Sequence, residues 1–439
     1  MSLNQLFFQF IIVSSKTVTY QEALDFLYPL HRFGIQPGLD RIHKLLDILR
    51  LPQRRLGLVV HLAGTNGKGT VAASLASIFK VSGRKTALYT SPHLVDFTER
   101  IRINGIQIPR NKVAYYCSLL QSAASENHAT FFEVTTAIAF AWFADEGVDV
   151  SIIETGLGGR LDATNVVDPR YVVIPSIGLD HTEWLGTTPA IIAAEKAAII
   201  KKGCKVMTAV SDPESLQPIQ SMATLCNVPL FCFGKDARCS VTSQKPGLLE
   251  LDIRTGSMHY PALQVPLTGT FHAYNITLAV MVAEDAGISP EEIRLGLEQL
   301  SGSGYRARLE LMSSLPAIFL DVSHNPDGMR ETVNTLLVFR HLYNRVFVML
   351  GLASDKDARA IVRELLRLNV SFLTVPLPSD RGISADLLGS LCHEEGREAK
   401  VSKNAKEGLA YLRRRAGADD LILITGSFYL AGDIIDGGM

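Results

Sequence analysis

The sequence predicts an α/β protein built from two units, each a parallel sheet with helices on both faces. Three observations carry this. Strand-length apolar runs alternate with helix-periodic segments between residues 56 and 210, the alternation restarts near residue 317, and a Ser-Gly-Ser-Gly stretch at residues 301–304 separates the two. Such βαβ alternation buries each strand on both sides and needs a helix at each crossover.

Residues 6–13 are apolar but contain Gln9, and they fall far short of the ~20 residues that span a bilayer. No Lys or Arg precedes them, as a secretory leader would require. Residues 1–16 are therefore expected to form an irregular extension, with a first core strand as the alternative.

Residues 56–63 (LGLVVHLA) read as a buried strand, followed by a Gly-rich turn. Residues 70–81 then place Val71, Leu75, Ile78 and Phe79 at helical spacing. Strands are expected over 86–90, 148–153, 171–177 and 206–210, and helices over 131–144 and 188–202. The second helix opens with Thr188 as N-cap and Pro189 at the first helical position. Residues 226–266 lose helical periodicity, and the alternation of Leu249, Leu251 and Ile253 suggests a small β-rich flap or subsheet. Helices over 271–286 and 290–300 close the first unit, and 301–304 is the expected linker. Beyond it come strands 317–322, 345–350, 370–376 and 421–425, with helices 328–339 and 357–368. The expected division is 1–303 and 304–439, with a cleft between.

Composition excludes several classes. The 439 residues correspond to roughly three average domains, so two or three are expected. Hydrophobic residues at 47% and charged ones at 20% indicate a compact globule and argue against disorder. Lys plus Arg number 43 against 44 Asp plus Glu, a net charge of -1. That balance gives no general field for nucleic acid or an anionic membrane, so any bound anion needs a local site. Cys117, Cys204, Cys226, Cys232, Cys239 and Cys392 form no CxxC pair, which suggests reduced thiols and a cytoplasmic protein.

The sharpest motif is residues 64–70 (GTNGKGT), set between a strand and a helix. Glycines let backbone N–H groups turn toward a phosphate, and the helix N-terminus adds partial positive charge. Lys68 can reach the β- and γ-phosphates, and a hydroxyl here can ligate Mg²⁺. The loop departs from G-x-x-x-x-G-K-[ST]: only Thr65 and Asn66 separate Gly64 from Gly67, Gly69 stands where the hydroxyl belongs, and Thr70 follows. A purely structural turn is the alternative.

Other polar residues fall at the carboxyl ends of expected strands, where open α/β sheets bind ligands. Ser91 and Glu154 suit Mg²⁺. His181 reads equally as a satisfied structural histidine, and Arg160 with Asp162 as an internal ion pair. Lys196 lies in a mostly apolar helix, where it either snorkels or stays buried as a reactive amine. In the second unit, Asp321 at a strand end suits a ribose or base, and Arg308 just past the linker suits a phosphate clamp.

Taken together, residues 64–70, Ser91-Pro92-His93-Leu94 with Glu99-Arg100-Ile101, residues 154–165 (ETGLGGRLDATN), residues 178–186 (GLDHTEWLG), Glu195-Lys196 and residues 321–326 (DVSHNP) resemble the folylpolyglutamate synthase/dihydrofolate synthase family, a branch of the Mur ligases. The resemblance runs from about Gly34 to the Gly426-Ser427 turn. It implies a P-loop-type ATP-binding Mur ligase domain over 1–303 and a smaller Rossmann-like glutamate-ligase domain over 304–439. It implies ATP-dependent addition of L-glutamate to dihydropteroate or to a folate tail, by a monomer. Asn66, Gly67, Lys68, Gly69 and Thr70 would hold the triphosphate. Ser91 and Glu154 would ligate one Mg²⁺, and Glu154 with His181 a second. Lys196 would be a carbamylated lysine at that second metal. Asn275, Arg308 and Asp321 would contact ATP, and His324 would lie near the reacting groups. Thr130, Phe131, Phe132, Glu133, Leu161, Asp162 and Ala163 would line the pterin site, aromatic faces stacking on the flat ring. The family shows Pro-Gly-Arg where this chain has Arg306-Ala307-Arg308, so the choice of Arg308 over Arg306 is an expectation for the structure to meet.

The segment around Thr130 favours use of dihydropteroate, so both activities are expected; a tail-extending enzyme or another Mur-type amino-acid ligase is the alternative. A ligase for UDP-linked substrates would carry a further N-terminal domain, for which 63 residues before Gly64 are too few. A P-loop kinase or GTPase switch is disfavoured by the second α/β unit. A non-catalytic nucleotide sensor would be expected to lack Lys68, Glu154 or His181, and all are present.

Overall fold

The computed structural model describes residues 18–34, 36–378 and 381–438, so the expected extension at 1–16 lies outside them. The first sheet comprises β1 (Leu58–Leu62), β2 (Thr86–Tyr89), β3 (Ile101–Ile103), β4 (Ile106–Gln107), β5 (Val150–Glu154), β6 (Tyr171–Ile174), β7 (Lys205–Thr208) and β8 (Leu230–Cys232). Its order is β4-β3-β2-β5-β1-β6-β7-β8, parallel from β2 to β8 with an antiparallel hairpin at the β4 edge. Strands β9 (Arg238–Lys245), β10 (Leu248–Arg254) and β11 (His259–Val265) form a separate antiparallel sheet. The third sheet holds β12 (Glu310–Ser314), β13 (Ala317–Leu320), β14 (Val346–Leu350), β15 (Val370–Thr374), β16 (Ala399–Val401) and β17 (Leu421–Thr425), in the order β12-β13-β17-β14-β15-β16, parallel except for β12.

Each parallel sheet has an apolar core on both faces. On one face of the first sheet, Tyr89 and Ile153 pack with Phe140 and Phe143 of the helix Phe131–Glu146. On the other, Val60 and Ile152 pack with Val71, Leu75 and Ile78 of the helix Lys68–Val81. Burying one such side chain stabilises by ~1.5–3 kcal/mol, so the two faces together fix the sheet. In-register pairing then aligns the strand ends: Leu62 pairs with Glu154 and with Val173, and Tyr89 with Ile153. The segments that follow β1, β2, β5 and β6 therefore leave the sheet side by side.

Several expectations change in detail. The helix expected over 188–202 spans only Pro189–Ala197. Lys201 donates to the carbonyls of Asn165 and Val167, and Gly203 takes φ 83°, so the chain turns back toward the sheet. Within 226–266, β8 joins the first sheet, and only β9–β11 make the separate subsheet. Residues 301–304 are not a free linker. Leu300–Ser303 is a 3-10 turn with Leu300 and Ser303 buried, packed against the β3–β4 turn at Gly105. The apolar surroundings change just afterwards, Tyr305 packing with the first sheet's core and Ala307 with the third's.

Candidate active site

The turn after β1 is held by the turn after β6. Thr65 N donates to Ser176 O, Asn66 N to Ser176 Oγ, and Thr65 Oγ1 to Gly178 O, at 2.9–3.0 Å. Gly67 caps the helix Lys68–Val81 with φ 89°. Lys68 Nζ donates to Gly64 O at 2.8 Å and lies 3.8 Å from Glu154 Oε1. Thr70 is turned inward: its hydroxyl is 2.6 Å from Tyr305 Oη and 3.2 Å from His272 Nδ1. It forms the floor of the loop, and together with Asn66, Gly67, Lys68 and Gly69 it lines a cleft of about 880 Å³.

Ser91, Glu154, His181 and Lys196 line the same cleft. Glu154 is buried, which raises its pKa; the nearby cations of Lys68 and Arg308 and a backbone N–H from Ser91 oppose that shift. Lys196 is 5% exposed, and its Nζ lies 3.3 Å from Gly64 O. Burial, reinforced by the charge of Lys68, pushes its ammonium down to about 7. Lys196 therefore does not snorkel. His181 takes φ 51° at the start of the short helix Thr182–Leu185, with its side chain 38% exposed, so it is no core histidine. The Arg160–Asp162 ion pair is not formed. Arg160 pairs with Glu195 at 2.9 Å, whereas Asp162 accepts from Leu157 N, Thr164 N and Thr164 Oγ1 and ties its own loop.

Among the described residues no group of three His, Cys, Asp or Glu could hold a metal by itself. Magnesium is commonly bound through one or two carboxylates together with phosphate oxygens and water. Ser91 and Glu154 supply hard oxygen donors beside the phosphate loop, which fits a cation that enters with a nucleotide.

The far wall comes from the third sheet and the residues leading into it. Arg308 faces the cleft, its guanidinium 4.8 Å from the Phe428 ring and 4.0 Å from the position of a Cβ on Gly69. Arg306 points to the surface, bonded to Glu310 and Met312. Asp321 is buried and accepts from Leu309 N at 2.9 Å, Ser323 N at 3.0 Å and Thr332 Oγ1 at 2.9 Å. Ala307 and Leu309, either side of Arg308, both take the left-handed conformation. Asp321 thus lines the cleft and also anchors the turn that presents Arg308. His324 Nδ1 lies 2.8 Å from Val322 O, and burial lowers its pKa to about 4. Asn275 reaches the loop from the helix His272–Asp285, close against Gly67.

A second cavity of about 440 Å³ adjoins the cleft at Ser91, Arg100 and the segment Gly156–Gly158. Thr130, Phe131, Phe132, Glu133, Leu161, Asp162 and Ala163 all line it. Thr130 and Glu133 use their polar atoms as a capping box for the helix that starts at Phe131, and Glu133 also pairs with Arg41 at 3.0 Å. The aromatic faces are Phe131, stacked on His31 with ring centres 4.0 Å apart, and Phe132 beside Tyr89. Arg100 is buried between the two cavities, donating to His93 Nδ1 at 2.7 Å with its guanidinium over Phe131.

Sequence reasoning missed His31, Asp180, Tyr305, Asn325 and Lys356, all of which reach these cavities or the contacts beside them. Asp180 and Asn325 do lie inside motifs already quoted, but their partners are 145 and 176 residues away in the chain. That distance leaves no local signature.

The description "Mur ligase middle domain" matches residues 62–283, and "Mur ligase, glutamate ligase domain" matches residues 307–428. A Bacillus subtilis (strain 168) protein named dihydrofolate synthase/folylpolyglutamate synthase is 33% identical over 433 residues, covering 94% of this chain and 98% of the relative. The chain belongs to the Mur ligase family. Among Mur ligases of known structure, the Escherichia coli FolC in complex with DHPP and ADP superposes with a TM-score of 0.86 at 29% identity, over 95% of this chain and 97% of the other. The Mycobacterium tuberculosis folylpolyglutamate synthase complexed with ADP gives the same TM-score and identity over 95% and 99%. This Mur ligase therefore shares its whole architecture with the dihydrofolate synthase/folylpolyglutamate synthase branch, and its two cavities lie within that shared fold.

Proposed function

We propose that this Mur ligase adds L-glutamate to dihydropteroate and to the glutamate tail of folates, using ATP and an acyl-phosphate intermediate. The observation that carries the reading is the junction of the two cavities. A phosphate-loop cleft opens at Ser91 and Arg100 directly into an aromatic-walled pocket, so a flat ring stacked there can extend a carboxylate toward the triphosphate. The proposed division at 303/304 is supported by a change of apolar core close to it, between Tyr305 and Ala307. Each unit supplies one wall.

A carboxylate is a poor electrophile toward an amine. Transfer of the γ-phosphoryl group to it gives an acyl phosphate; the amine of glutamate attacks the carbonyl carbon, the C–O bond to phosphate breaks, and phosphate leaves. Little covalent work falls to side chains, so positioning and charge neutralisation dominate. Lys68 and Arg308 approach the phosphates from opposite walls. Asn66, Gly67 and Gly69 offer loop backbone, with Asn275 packed against it, and Asp321 fixes Arg308. Arg100 offers a cation where the acceptor's carboxylate must pass. His324 Nδ1–H donates a hydrogen bond to Val322 O, which leaves Nε2 as the lone-pair nitrogen able to take a proton from the attacking amine.

Ser91, Glu154 and His181 would hold Mg²⁺ in two sites, where it would neutralise charge on the phosphates and the carboxylate. The neutral amine of Lys196 is suited to take up CO₂, forming an N–C bond and releasing a proton, which turns a buried cation into a carboxylate-like group. The protein is proposed to work as a cytoplasmic monomer; among the described residues, no helix is long and apolar enough to cross a membrane. ATP-dependent incorporation of labelled glutamate tests the reading. Product is expected with both dihydropteroate and tetrahydrofolate. Product with tetrahydrofolate alone would reduce the enzyme to a tail extender, and none with either would remove the substrate assignment.

A further inference from the structure

Asp180 lies between β6 and the helix Thr182–Leu185, in the same turn whose Ser176 and Gly178 hold the phosphate loop. One of its bonds is local: Oδ1 accepts from His181 N at 3.0 Å. The others cross the cleft. Oδ1 accepts from Lys356 Nζ at 3.1 Å, Oδ2 accepts from Asn325 Nδ2 at 3.2 Å, and Oδ2 lies 3.9 Å from His324 Nε2. Asn325 Nδ2 is also 3.4 Å from Asn66 Oδ1, within the phosphate loop itself.

Two side chains from two separate turns of the second unit, Lys356 and Asn325, thus bond one carboxylate of the first, with the His324 ring beside them. Asn325 and His324 follow β13, and Lys356 follows β14. Lys356 is 11% exposed and is shared with Asp355 at 3.2 Å, so its ammonium is fixed between two acids. A loop cap would need only the bond to His181 N. The remaining contacts make sense as a clasp between units.

We propose that Asp180 is a positioning residue: it draws Lys356 and Asn325 of the second unit onto the phosphate-loop turn and so sets the closed cleft. Asp180 acts through these groups and does not itself touch the reacting atoms. Its effect on turnover rests on the ligase reading above, whereas its effect on the arrangement of the two units does not.

The test uses Asp180→Asn, Lys356→Met, the double variant and Lys356→Arg in the full chain. Solution X-ray scattering is recorded without substrates, and kcat and KM for ATP are measured with glutamate and the acceptor. Asp180→Asn and Lys356→Met are each expected to enlarge the radius of gyration and to lower kcat about tenfold or more, because a displacement near 1 Å at a distance can be that severe. KM for ATP should move less than about threefold. The double variant should be no worse than the poorer single, since both remove one shared interaction. Lys356→Arg, which keeps the cation, should recover kcat to within about threefold of the parent. Scattering curves that superimpose on the parent's, or single effects that multiply in the double, would overturn the proposal. If the parent ligates glutamate to no acceptor, the functional reading fails, and the scattering comparison still decides the clasp.

Discussion

Asn275 Oδ1 stands 2.3 Å from the position that a Cβ on Gly67 would occupy. The helix His272–Asp285 therefore presses a polar side chain onto the phosphate loop at the one residue with φ 89°. Both the space and the backbone conformation exclude a side chain. Gly67→Ala would relieve its ~1–2 kcal/mol of left-handed strain by turning the free loop out of the binding conformation, and restoring that conformation is expected to weaken ATP binding on the order of tenfold. Nucleotide titration calorimetry reads this directly, and an unchanged Kd would show that the loop repacks freely.

Asp321 and Arg308 should separate stability from turnover. Asp321→Ala strands Leu309 N and Ser323 N, while Thr332 Oγ1 keeps its contact with Ser323 Oγ. Unsatisfied buried donors cost about 1–3 kcal/mol each, so urea unfolding should shift by several kcal/mol at most. Arg308→Ala removes a half-buried cation that stacks on Phe428. It should leave unfolding within about 1 kcal/mol while lowering kcat about a hundredfold. Arg306→Ala, at the surface, should do neither. Equal kinetic losses at Arg306 and Arg308 would contradict the assignment.

Lys196 makes a pH prediction with a definite sign. Its folded pKa is depressed to about 7 from 10.5, so between those values the unfolded chain binds the extra proton and stability rises with pH. Below pH 7 the burden of the buried ammonium is fully present. In CO₂-free buffer, Lys196→Met should therefore be the more stable protein at pH 7, and its advantage should shrink steadily toward pH 10. A gap in melting temperature that stays constant over that range would show that the ammonium is not buried. Restoring bicarbonate should stabilise the parent and leave the variant unmoved.

Phe131 stacks on His31 at the wall of the second cavity. Phe131→Leu keeps most of the buried volume and removes the aromatic face. Stacking is worth about 0.5–1.5 kcal/mol, so KM for dihydropteroate should rise up to about tenfold with KM for ATP unchanged. Parallel increases in both would point to general loosening of the site.

Much of this was legible in the chain because the governing patterns are local. Continuous apolar runs at β1, β5 and β6, and helical spacing after residue 70, suffice to place the phosphate loop at a strand end. The strand ends at Ser91, Glu154 and His181 follow from the same logic. What stayed hidden depends on contacts far apart in sequence or on backbone geometry. Arg306 and Arg308 look alike as letters. Only the left-handed residues 307 and 309, pinned by Asp321 and Glu310, turn one inward and the other out. Pro218 inside it masks the helix Pro213–Cys226, whereas Arg110–Glu126 carries Val113, Tyr116, Cys117, Leu120 and Ala124 at helical spacing and was legible, though it is not among the elements expected from the sequence. The linker expected at 301–304 has the composition of a loose tether, yet Leu300 and Ser303 bury it against the β3–β4 turn.

The central claim is that ATP activates the acceptor's carboxylate by phosphorylating it at the junction of the two cavities. Turnover of dihydropteroate labelled with ¹⁸O in its carboxylate tests this most directly. The account predicts one ¹⁸O in the inorganic phosphate released per glutamate added, because the oxygen that takes the phosphoryl group departs with it. Phosphate free of ¹⁸O, with amide product still formed, would contradict it.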